Sequence, residues 1–148
     1  MPHTPPEGYR HHTPMMVRYG DLDNLNHVNN AKYLTYFEHG RVTYIRELGL
    51  WDGYASELGL ILAKSVVEFK LPLHLEDGLI DVWTRSSRLG NKSFDMGGVI
   101  TCQREGKQVV AAEVINVMVV FDYGKDQAMP IPVDWREKII AFEPALDG

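Results

Sequence analysis

The chain has 148 residues, 45% apolar and 24% charged, with a single cysteine and a formal net charge of −5. That length suits one domain, able to bury roughly two-thirds of its unfolded surface without covalent staples. The lone Cys102 excludes an internal disulfide, and the acidic balance argues against a general nucleic-acid binder, which carries a basic footprint.

The opening stretch, Met1 to Pro14, holds Pro2, Pro5, Pro6 and Pro14 with His3, His11 and His12. It lacks the apolar centre of a signal peptide. We expect residues 1–12 to form a flexible arm, His11-His12 included, ahead of one domain over 13–148. No apolar run approaches ~20 residues, so no membrane span is expected, and the cysteine usage fits the cytoplasm.

Met15 to Tyr19 reads as a short strand, and Gly20 to Asn29 as a polar, turn-rich loop. A helix follows from about Asn30 to Leu48, with Gly49 as its stop. Its polar positions Lys32, His39, Thr43 and Arg46 cluster in one stripe, so the remaining surface must be wrapped by other elements. Leu50 to Gly59 reads as a connection. Extended segments are expected near Leu60–Leu71, Leu79–Leu89, Ser93–Arg104 and Gln108–Asp122, the last rich in β-branched residues as central strands are. Gly90-Asn91 and Glu105-Gly106-Lys107 have hairpin length. A short helix is expected over Trp135–Ala141. Strand, long helix and four antiparallel strands make an α+β arrangement, with one sheet covering one greasy helix.

The informative stretch runs from Tyr19 to Glu38, and packs Asp21, Asp23, His27 and four asparagines before the helix. Core packing explains none of them, although Asn29 or Asn30 suits the N-cap. The first turn of a helix leaves backbone N–H groups unpaired and favours negative charge. An oxyanion developing on a thioester carbonyl is such a charge, and a carboxylate just upstream has the chemistry to attack that carbonyl or to activate water. On the helical wheel Glu38 falls in the middle of the apolar face, where a lone carboxylate needs a partner such as Arg41 or a raised pKa. The alternative for Glu38 is a plain ion pair with Arg41. No Gly-x-Ser-x-Gly, zinc-ligand spacing or glycine-rich phosphate loop is present, and Cys102 reads as a packing residue.

Asp21, Asp23, His27, Val28, Asn29, Asn30, Tyr33, Tyr36 and Glu38 resemble the motif of the 4-hydroxybenzoyl-CoA thioesterase-like branch of the hotdog superfamily. Asn26 replaces the usual glycine and tolerates the same left-handed backbone. The likeness continues through Phe69–Leu73, Arg88–Ser93 and the strand ending near Asp122. It implies a hotdog fold, a long central helix wrapped by a curved antiparallel sheet of about five strands. It implies an acyl-CoA thioesterase, in which Asp23 acts as nucleophile or general base and the Asn30 N–H polarises the carbonyl. His27, Asn29 and Glu38 match positions at the site, and Asp21 supports the loop. Tyr33, Arg88, Lys92 and Ser93 are candidate substrate contacts, and His74 stands where relatives often carry arginine. No cofactor or metal is implied. Family members assemble as homodimers or homotetramers with active sites at the interface. Two alternatives remain: an acyl-ACP thioesterase, and a catalytically silent acyl-CoA binder.

Overall fold

The computed structural model describes residues 3–51 and 57–146. In chain order the elements are β1 (His11–Met16), α1 (Asn30–Glu47), β2 (Leu58–Phe69), β3 (Leu79–Leu89), β4 (Ser93–Arg104), β5 (Lys107–Asp122), β6 (Gln127–Ala128) and α2 (Val133–Phe142). The strands form one antiparallel sheet in the order β1-β3-β4-β5-β2, with β6 added to β5. This curled sheet against one long helix is the hotdog arrangement expected. Irregular register in β2 (Leu62/Lys64), β3 (Ser86/Arg88) and between β4 and β5 (Ile100/Thr101) marks where the strands bend around α1. The β4–β5 turn, Glu105-Gly106, has φ of 52° and 75°, the pairing of a two-residue hairpin whose twist matches its strands. The connection expected over Leu50 to Gly59 lies partly outside the described residues, at 52–56, and β2 begins two residues before the expected Leu60.

The N-terminal strand differs from expectation. His11 and His12 pair with Thr84 and Trp83 of β3, so they belong to β1 rather than to a loose arm. Pro14 is tolerated because β1 is an edge strand, where a missing N–H leaves no ladder partner. Strand alternation sends the two imidazoles to opposite faces. His11 meets Glu47 of α1, whereas His12 packs on Trp83, so the pair does not chelate together. Residues 3–10 lie along the outer face of the sheet. His3 meets the buried Asp81, Thr4 and Gln108 exchange hydrogen bonds, and Arg85 stacks on the Tyr9 ring at 4.8 Å.

Helix α1 begins at Asn30 because the Asn29 side chain accepts the Ala31 N–H at 2.9 Å, and Gly49, φ 74°, turns the chain away just past its end at Glu47. It sits close on the sheet where side chains are absent. A methyl at Gly40 would meet Val82 Cγ1 at 2.7 Å, and one at Gly98 would meet the Phe37 ring at 2.7 Å. Tyr33, Tyr36 and Phe37 bury into a cluster with Ile80, Val82 and Ile100. Tyr44 and Ile45 bury into a second cluster, with Phe94, Met118 and Trp135, which α2 closes. Each such large apolar side chain contributes about 1.5–3 kcal/mol. The helix packs on β3, β1 and β4, however, and meets β2 chiefly at its start, where the Tyr33 ring packs edge-on to Phe69 at 5.2 Å. Its side bearing Leu34, Glu38 and Val42 faces β2 across an open groove, and Leu34 is 44% exposed. The wrapping expected from the single polar stripe is therefore incomplete within one chain.

At the far end, Glu143 is buried and its Oε2 accepts the Tyr44 hydroxyl and the Ser86 N–H, both at 2.8 Å. Burial pushes its pKa up despite those two donors. A carboxyl whose folded pKa is raised favours the folded state below its ordinary value of 4.5, and that contribution disappears as pH rises through the folded value. Glu143→Gln keeps an acceptor oxygen without the charge. Its Tm at pH 8 should equal or exceed wild type, and the difference should shrink toward pH 4; a variant markedly less stable at pH 8 contradicts this.

Candidate active site

The loop before α1 is pinned by Asp21, which is 1% exposed. Its carboxylate accepts the Tyr36 hydroxyl at 2.6 Å and the Arg18 N–H at 3.0 Å, and its backbone carbonyl accepts the Asn29 N–H at 2.9 Å. Burial drives the Asp21 carboxyl upward, but Tyr36 and Arg18 outweigh it and hold the group below the usual carboxylate range. Asp21 thus ties the loop's start, the helix cap and the first helical turns together, which is the supporting role expected of it.

Inside that frame, Asp23 closes a tight turn. Its N–H donates to the His27 carbonyl at 2.7 Å, and its Oδ1 accepts the N–H groups of Leu25 at 2.9 Å and His27 at 3.2 Å. Oδ2 has no hydrogen-bond partner among the described residues. Asn26 takes φ 62°, the left-handed conformation that its replacement of glycine requires. The Asn30 N–H, first in the helix, likewise has no acceptor among the described residues.

Asp23, His27 and Asn30 line one cavity of about 260 Å³, whose floor is Tyr33 and whose opposite wall is Phe69 to Pro72. Arg104 fixes that wall. It donates to the Pro72 carbonyl at 2.6 Å and grips both Asp77 oxygens, at 3.0 and 2.8 Å. The His27 ring packs edge-on to His74, centroids 5.1 Å apart. A carboxylate oxygen and a helix-tip donor, both unpartnered among the described residues, thus belong to residues that line one cavity.

The other expected site residues divide. The Asn29 side chain is spent on the cap, so it positions Asn30. Tyr33 contributes its ring, while its hydroxyl donates to Leu71 O at 3.2 Å and accepts the Leu73 N–H at 2.8 Å, binding α1 to the β2–β3 connection. Glu38 does not join this cavity. Its side chain is 65% exposed at the α1–β2 groove, and its neighbour Arg41, at 3.7 Å, is the buried member. The wheel put Glu38 at the middle of the apolar face, but the long Arg41 stem folds inward while the shorter Glu38 stays at the rim. Within one chain Arg88, Lys92 and Ser93 are also elsewhere. Ser93 pairs with Val119 beside the cluster of Tyr44 and Trp135, at the opposite end of α1, and Arg88 is engaged by Ser93 and Asp95. What the sequence reading missed is Asn116, which is 4% exposed at the groove; an amide in the middle of the apolar run Val114–Val120 was the signal. Among the described residues no three His, Cys, Asp or Glu side chains converge as a metal site, and no helix is long and apolar enough to cross a membrane.

Known proteins match nearly the whole domain. The long-chain acyl-CoA thioesterase FadM of Escherichia coli K12 is 28% identical over 137 residues, 86% of this chain and 95% of that protein. A thioesterase of Thermus thermophilus, solved with coenzyme A and Zn, is 31% identical with a TM-score of 0.79, covering 93% of this chain and 97% of that one. The PA5185 protein of Pseudomonas aeruginosa PAO1 is 27% identical with a TM-score of 0.81, covering 93% and 94%. The model of the thioesterase-like superfamily matches residues 17–139, which include the cavity, the helix and all the long strands, and the chain belongs to that superfamily.

Proposed function

We propose that the protein hydrolyses acyl-CoA thioesters through Asp23 and the N-terminus of α1. The observation that carries this is the cavity shared by the Asp23 carboxylate and the Asn30 N–H, each with an unused valence. The thioester oxygen accepts from Asn30 and the negative end of the carbonyl dipole points at the helix tip, which stabilises the tetrahedral oxyanion. Asp23 then either attacks the carbonyl carbon or takes a proton from water that attacks it. Collapse breaks the C–S bond, the thiolate leaves and is protonated, and the free acid departs; on the covalent route water first cleaves the Asp23 anhydride. His27 and His74 line the approach. The likeness to FadM and to a coenzyme A-bound thioesterase supports the CoA thioester, and a reducing compartment suits the buried thiol of Cys102.

The site is open along β2, a 12-residue edge strand with Ile61, Leu62, Val66 and Phe69 36–53% exposed. An unprotected apolar edge of that length pairs with another strand. A second copy laid β2 to β2 covers the α1–β2 groove, so the active sites fall at a dimer interface. Light scattering should give at least twice the 16.8 kDa chain mass, and lysines at Ile61 and Val66 should give monomers; a wild-type monomer at micromolar concentration ends the dimer reading.

The decisive experiment is thiol release from a panel of short, long and aromatic acyl-CoAs, with the matching acyl-ACPs beside them. Acyl-CoA turnover is expected. Tight binding without turnover makes the protein a carrier, and turnover of acyl-ACP alone reassigns the substrate.

A further inference from the structure

Resting on the acyl-CoA reading above, the geometry points to Arg41 and Asn116 as a polar anchor that selects acyl-CoAs carrying a hydroxyl far from the thioester. Three cavities follow one another along α1, and in this reading the acyl chain runs through them in turn. Asn30 and Tyr33 line the first, Leu34, Phe37 and Glu38 the second, and Val42 and Ile45 the third, with Arg41 between the last two. Strand β2 follows in reverse, through Phe69, Ser65, Leu62 and Leu60. Apolar walls suit a methylene chain, but two buried polar groups interrupt them.

Arg41 is 8% exposed, and among the described residues its one ionic contact is Glu38 at 3.7 Å, outside hydrogen-bond range. Burial lowers its pKa, which marks a guanidinium poorly compensated for lost water. Asn116, reaching in from β5 opposite Ser65 of β2, has a buried Oδ1 with no donor among the described residues. A free donor fork and a free acceptor on one cavity match a hydroxyl, which accepts from Arg41 and donates to Asn116. A methyl terminus satisfies neither group, and a carboxylate has no proton for Asn116 and faces Glu38. Arg41 lies eleven residues past Asn30, roughly 16 Å along the helix. At roughly 1.2 Å per bond in an extended chain, that spans about a dozen bonds.

The test compares kcat/KM for a saturated acyl-CoA of about a dozen carbons with that for its terminal-hydroxyl counterpart. Wild type should prefer the hydroxyl by roughly 100-fold, because a site built for a hydroxyl rejects the analogue lacking it. Arg41→Met should bring the ratio near one, and Asn116→Leu should cut it about tenfold; if Arg41→Met does not fold, Asn116→Leu decides. A wild-type ratio near one overturns the proposal and leaves the thioesterase reading standing. So does an unchanged ratio in Arg41→Met that has become monomeric, since the guanidinium then serves the contact between copies. If neither thioester is hydrolysed, the thioesterase reading fails, and calorimetric binding of the free hydroxy acid against the unsubstituted acid must show the same preference and the same losses, or the anchor fails too.

Discussion

Asp23→Asn should lower kcat for acyl-CoA hydrolysis about a thousandfold while Tm moves by no more than about 2 °C. The substitution separates the carboxylate's two jobs. Oδ1 holds the turn by accepting the Leu25 and His27 N–H groups, and the asparagine carbonyl oxygen accepts them equally well. Oδ2, unpartnered among the described residues, becomes an NH2 group that neither attacks a carbonyl nor takes a proton from water. Alanine would be the poorer choice, since it releases the turn and confounds chemistry with folding. A variant retaining kcat within tenfold of wild type removes Asp23 from the reaction.

Asn30→Pro deletes one hydrogen-bond donor from the backbone, and kcat should fall about 10²–10³-fold, the cost of one oxyanion donor. Proline is well suited to the first position of a helix, where the N–H has no intrahelical acceptor. The preceding Asn29 already has φ −59° and ψ 136°, the conformation a following proline demands. Cap and helix should therefore persist, with the circular dichroism spectrum unchanged. Asn30→Ala, which keeps the N–H, serves as the control and should stay near wild type. Equal losses in both variants would mean that the side chain, not the amide, carries the effect.

The helix and the four long strands were legible in the sequence because their signals are local. Asn29 caps, Gly49 stops, and short turns separate runs of β-branched residues. Asp21, Asp23, His27 and Asn30 were legible as a unit because they are near neighbours in the chain and the helix start gathers them. β1 was misplaced because Pro14 and two histidines look like loop, and only its edge position makes them acceptable. Helical periodicity assigns a direction, not a depth, so it could not tell that Arg41 rather than Glu38 is buried. Arg88, Lys92 and Ser93 were named by motif order, and within one chain strand register sets Ser93 and its neighbours at the end of the helix opposite the cavity. The open groove along β2 is a property of how α1 lies on the sheet, and no window of sequence contains it.

Residues 3–10 also cover part of the outer face of the sheet. With Tyr9 over Arg85 and His3 on Asp81, that segment occupies ground on β3 that would otherwise lie bare. Any partner that docks on this face must displace the segment or bind on top of it. Deleting residues 3–10 therefore bares the Asp81 carboxylate and the Arg85 guanidinium, which now meet His3 and Tyr9.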